Sequence, residues 1–154
     1  MRTDRRITDI INENKRLILV GVTIIYFLIV LDITLIDRTV GVRRHMLEPM
    51  WEIRQLLRSR RYGFWLSQIV GNCVMLMPMG FFLPALSRRF RSVRCTTAAG
   101  FAFSLWIELT QYITGRGLCE LDDIIHNTFG AAVGVILFML FDFCKRKGYY
   151  YGSL

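Results

Sequence analysis

The chain has 154 residues, 53% of them hydrophobic, with a mean hydropathy of +0.38 and a formal net charge of +8. So apolar a balance excludes an ordinary soluble domain of this size. The excess cations sit in short segments between apolar runs, with no basic, aromatic-interleaved motif, which argues against a nucleic-acid partner and for contact with anionic membrane lipid.

Residues 1–16 are polar and basic, carrying Arg2, Arg5, Arg6, Lys15 and Arg16. Leu17 to Ile36 is a run of twenty residues with one charge, Asp32. A helix of that length crosses a hydrocarbon core of roughly 30 Å. It is too long for a signal-peptide core and no small-x-small cleavage site follows, so it is read as a retained first span. The basic connection from Asp37 to Arg61 holds Pro49, suited to a first helical turn. Met46, Met50, Ile53 and Leu57 then recur at helical spacing beside Arg54, Arg58, Arg60 and Arg61. This predicts a short amphipathic helix on the membrane surface.

A second span is predicted over 65–86. Pro78 and Pro84 flank Gly80 within it and predict a bend near Met77 to Phe81. Arg88, Arg89, Arg91 and Arg94 form the next connection. A third span, 95–113, carries Glu108 and Gln111. Arg116 lies in the short turn that follows, and a fourth span, 122–143, opens on Asp122 and Asp123. Residues 144–154 form a tail with Lys145, Arg146 and Lys147. The predicted fold is all-α: one multi-pass domain over 17–143, with four transmembrane helices and an interfacial helix between the first and second. The two termini and the middle connection hold 12 cations against eight on the other side. The positive-inside rule therefore places both termini in the cytoplasm of a cell membrane.

That topology brings distant polar residues to one depth. Asn72, Glu108, Gln111, Asp122, Asp123 and Asn127 all fall toward the outer surface, with Arg116 above them. Asp123, Asn127, Gly130 and Gly134 share one helical stripe. Gly130-x-x-x-Gly134 predicts close helix packing and leaves a homo-oligomer open. Ionisable groups at membrane depth point to function, yet they also fit an internal staple in which Glu108 or Asp123 pairs with Arg116 and the amides bond across helices. Asp32 can reach the interface by itself. His126 reads as a packed or interfacial histidine, and His45 lies in the outer connection. Cys73, Cys95, Cys119 and Cys144 are scattered without metal spacing and read as packing residues. No cofactor or metal set is legible.

Three ordered blocks resemble the VanZ family of small bacterial membrane proteins. They are Gly71-Asn72 with Met77-Pro78-Met79-Gly80-Phe81 and Pro84; then Ser104, Glu108 and Gln111; then Arg116 through Asp123 with Asn127-Thr128-Phe129-Gly130 and Gly134. The chain departs from the pattern at Leu76 and Cys119, where aromatic residues are usual. The resemblance covers about residues 15–143. It implies an envelope protein of the kind linked to resistance to the glycopeptide teicoplanin, with Asn72, Glu108, Gln111, Arg116, Asp122, Asp123 and Asn127 as its recurrent polar positions. Three activities stay open. One is binding or repositioning of an amphiphile, such as a lipid-linked wall precursor or a lipoglycopeptide, with Arg116 on an anionic head group. Another is intramembrane catalysis with Glu108 or Asp123 as acid or base. The last is ion movement through the acid cluster. No nucleophile–base pair or phosphate loop is visible, so a non-enzymatic role is the leading expectation.

Overall fold

The structure is a computed structural model describing residues 2–38, 40–41 and 44–151, with side chains described within residues 13–147. The predicted basic N-terminal segment and the end of the tail fall largely outside the described side chains. The described residues form α1 (Arg2–Leu31), α2 (Trp51–Arg58), α3 (Tyr62–Leu86), α4 (Val93–Thr114) and α5 (Leu121–Tyr151). Two three-residue strands, β1 (Arg44–Met46) and β2 (Leu118–Glu120), accompany them.

The architecture is all-helical, as the apolar runs dictate. Among the described residues, three stretches are long and apolar enough to cross a membrane: Glu13–Ile36, Tyr62–Leu86 and Leu121–Lys147. Their outward faces are those of a membrane protein. Leu17, Ile18, Ile25 and Leu28 are each more than half exposed, an apolar surface that water would not tolerate. α4, the expected third span, has 22 residues but is more polar. Thr96, Ser104, Glu108 and Gln111 dilute its hydropathy, and all four are buried.

Helix order is fixed by close backbone contacts. A Cβ on Gly130 would fall on the Cys73 carbonyl, and one on Gly134 on the Met77 carbonyl. Both pairs advance together along their helices, so α3 and α5 run parallel with almost no space between them. A Cβ on Gly80 would strike the Ala131 backbone at the same seam. α4 lies antiparallel to α5, since Ser104 bonds to Asn127 while Gly100 faces Ala131. Leu76, Ile107, Ala131 and Val135 are fully buried where the three helices meet. Pro78 and Pro84 lie inside α3 without ending it. The Val74 carbonyl loses its helical donor to Pro78, and next to it the Met75 carbonyl accepts Tyr26 Oη of α1 at 2.6 Å.

The connection between α1 and α3 departs from the sequence reading at its start. Met46 belongs to β1, and α2 begins at Trp51 after Met50 in a left-handed conformation (φ 58°). β1 pairs in parallel with β2, with His45 opposite Cys119 and Met46 opposite Glu120. The pairing fastens the first connection over the α4–α5 turn. That turn is made by Gly115, whose left-handed φ of 67° closes α4, a conformation glycine adopts without steric cost.

Candidate functional site

α1 ends in a π-helical turn, Asp32–Ile36, closed by Asp37 N donating to Asp32 O. The last carbonyls of a helix lack intrahelical donors, and two here are taken by side chains from α4 and its turn. Gln111 Nε2 donates to Thr34 O at 2.9 Å and Arg116 Nη1 to Leu35 O at 3.1 Å. Arg116 thus closes a helix end. Among the described residues it forms no ion pair with Glu108 or Asp123. Asp32, in the same turn, is exposed.

Beside this helix end is a cavity of about 380 Å³ lined by Ile33, Thr34, Arg38, Gln68, Asn72, Val74, Met75, Glu108, Gln111 and Asp123. It continues into a polar annex of about 80 Å³ that adds Leu118 and Glu120. The lining is two-sided. Ile33 and Val74 form an apolar rim, each 52% exposed on the outer face of the bundle. Behind them stand amides, carboxylates and the Arg38 guanidinium. Asn72 Nδ2 donates to Asp123 Oδ1. Glu108 is buried, and its Oε2 accepts the Glu120 backbone N–H at 2.9 Å. A second hollow of about 360 Å³ lies toward the other end of α5, between Arg91, Phe138, Asp142 and Arg146. No buried unpartnered polar atom lies on its wall, and it adds nothing to the site.

The remaining predicted residues stand just off the cavity. Asp122 is buried, with Oδ1 accepting Met50 N and Oδ2 accepting Glu52 N, both at 2.7 Å. It caps the start of α2 from another element, satisfying orphan N–H groups and favouring the positive helix end. Asn127 Nδ2 donates to Ser104 Oγ at 2.9 Å and holds α4 to α5. His45 is exposed, its ring edge-on to Tyr112. The four cysteines are free thiols.

Three residues at the site escape a sequence reading. Arg38 lines both parts of the cavity, where the sequence suggested Arg116. Its only signal was a charge just past a span end, which ordinarily means an interfacial anchor. Glu52 is 1% exposed although α2 is a short charged helix. An acid in a first helical turn ordinarily faces water, so no local signal marks it. Glu120 reaches the annex because β2 pairs with β1. Burial raises its pKa to about 7, helped by the carboxylates of Glu52, Glu108 and Asp122 and opposed by Arg38.

The wall as a whole offers acceptors for hydroxyl and amide hydrogens, one guanidinium for an anionic group, and an apolar rim. In comparison with known proteins, a family model described as VanZ/LLP1 aligns with residues 17–142. No curated protein and no solved structure matches the chain.

Proposed function

The chain belongs to the VanZ/LLP1 family, and on that premise we propose that it is a multi-pass protein of the bacterial cell envelope that holds the polar head of an amphiphile at the outer leaflet. The observation that carries this reading is the two-sided cavity, with Ile33 and Val74 at its rim and Arg38, Gln68, Asn72, Glu108, Gln111 and Asp123 behind. A volume of about 380 Å³ falls within the range of small-ligand sites. Carboxylates and amides suit sugar hydroxyls, while Arg38 suits one phosphate or carboxylate. Lipid-linked wall precursors and acylated glycopeptides such as teicoplanin both combine a glycosylated head with a hydrocarbon tail.

Four spans fit this role. α4 lies alongside α5 at matching depth, with Ser104 bonded to Asn127 of α5 and Gln111 to Thr34 O at the end of the first span. Counting α4 puts the cavity, the β1–β2 pairing and α2 on one outer face, and both termini in the cytoplasm. α2 then rests on the membrane surface, its exposed Leu57 toward lipid. The reading is tested with protein in nanodiscs titrated with lipid-linked disaccharide precursor, its sugar-free carrier phosphate, teicoplanin, and a glycopeptide without an acyl tail. Glycosylated amphiphiles bind best, and Arg38→Ala and Asn72→Ala each weaken them about tenfold, the scale of one lost charge-assisted contact. Equal affinity in wild type and both variants would sink the assignment. If teicoplanin is an occupant, expression of the wild type, and not of Arg38→Ala, raises the inhibitory concentration of the drug.

Glu108 and Asp123 on one cavity wall also suit an acid–base pair acting on a lipid-linked substrate. Glu108→Gln separates the two readings. Loss of turnover with retained binding favours catalysis, and absence of turnover in the wild type removes it.

A further inference from the structure

Glu52 has no place in the amphiphile reading. Its side chain is 1% exposed and its Oε2 has no hydrogen-bond partner among the described residues. Burying an unsatisfied carboxylate is costly unless something compensates it. His126 Nδ1 lies 3.2 Å from that oxygen, an ion pair when the imidazole is protonated but one without hydrogen-bond geometry, and both side chains are buried. Glu52 is not alone. One oxygen each of Glu52, Glu120 and Asp123 lies within 4.8 Å of the others. These three acids arrive from α2, β2 and α5. The Asp122 cap on α2 and the β1–β2 pairing hold those elements together, so their convergence is a product of the tertiary fold.

The neighbouring acids have partners of their own. Glu108 and Asp122 accept backbone N–H groups. Asp123 has the Asn72 amide. Among the described residues on the cavity wall the cation is Arg38. We propose that Glu52, Glu120 and Asp123 bind one hard divalent cation, of the Mg²⁺, Ca²⁺ or Mn²⁺ class, at the polar end of the cavity. Oxygens bound at about 2.3–2.6 Å from a Ca²⁺ centre lie at most about 5 Å apart, and the 4.8 Å spread fits that limit. The shorter bonds of Mg²⁺ need the three carboxylates to draw in by roughly half an ångström. An all-carboxylate set selects this class over zinc or copper. His126 stands behind Glu52 as the outer partner that orients a ligand. Three protein oxygens leave further coordination positions for water or for oxygens of a bound head group. The site stands without the amphiphile reading, because an ion can load with no lipid present.

The test uses full-length protein in detergent, stripped with chelator and titrated with Mn²⁺ while the free-ion EPR signal is followed. One Mn²⁺ per chain binds with a Kd below about 100 µM, within the span of carboxylate sites, and Mg²⁺ or Ca²⁺ displaces it. Glu52→Gln, Glu120→Gln and Asp123→Asn each weaken binding about tenfold or more. Asp142→Asn, far along α5 and paired with Arg146, leaves it unchanged. No saturable binding below about 1 mM, the weak end of such sites, overturns the proposal. So does saturable binding that all three variants keep. Should the variants fail to stay monodisperse, hydrogen exchange of the wild type with and without Mn²⁺ decides. Protection confined to α2 and residues 118–124 supports the site, and protection elsewhere, or none, overturns it.

Discussion

At the scale of single residues, two arginines exchange the roles their sequence positions suggest. Arg116 sits among polar family positions, yet its guanidinium closes the end of α1 at Leu35 O. Arg38 follows a span and faces the cavity. Arg116→Ala should therefore cost about 1–2 kcal/mol of stability, the value of a side-chain bond to a partly buried carbonyl, while amphiphile affinity stays within about twofold. Arg38→Ala should do the reverse, and thermal unfolding with titration of one preparation checks both. Glu120 adds a pH dependence. Its folded pKa of about 7 lies above the ordinary 4.5, so the folded state holds that proton more tightly than the unfolded chain. Its contribution to stability is fullest below about 4.5 and is lost as pH rises through about 7. In chelator, the thermal midpoint of Glu120→Gln should fall less between pH 5 and 7.5 than that of the wild type. Asn72, Glu108, Gln111 and Asp123 were legible because span depth alone brings them level. Arg38 and Glu52 were not, because each depends on how a connection folds back.

At the scale of elements, the stripe of Gly130 and Gly134 was visible as a spacing, and the structure shows its partner to be α3 within the same chain. Gly130→Leu would drive a side chain into the Cys73 backbone and should destabilise the protein by about 1–3 kcal/mol or more. Loss of a monodisperse species in mild detergent is the measure, and an unshifted midpoint would refute the close contact. α2 depends on Asp122, which accepts the N–H groups of Met50 and Glu52 at its start. Asp122→Ala should weaken that helix by about 1–2 kcal/mol, seen as faster amide exchange over residues 50–58 with α3 and the middle of α5 unchanged. Neither strand was legible. β1 and β2 have three residues each, too few to show an alternating pattern, and their register comes from a partner far along the chain. The π-helical turn was equally silent, since Asp32 to Ile36 continues an apolar helical run without a break.

At the scale of the whole molecule, the proposed topology carries its own test. In a variant lacking Cys73, Cys95 and Cys119, a membrane-impermeant maleimide should label Leu47→Cys in intact cells and reach Cys144 only after permeabilisation. The opposite pattern would invert the orientation. The β1–β2 pairing also imposes an order on biogenesis. Met46 leaves the ribosome about 70 residues ahead of its partner Glu120. At about 5–20 residues per second, α1 and α2 wait several seconds with their strand unpaired and Glu52 uncapped. On the proposed four-span topology, two later helices enter the bilayer before Asp122 arrives. A nascent chain arrested before Glu120 should therefore expose α2 to added protease, and release of a few dozen more residues should shelter it. The last span to be inserted completes a site whose first residues were translated near the start.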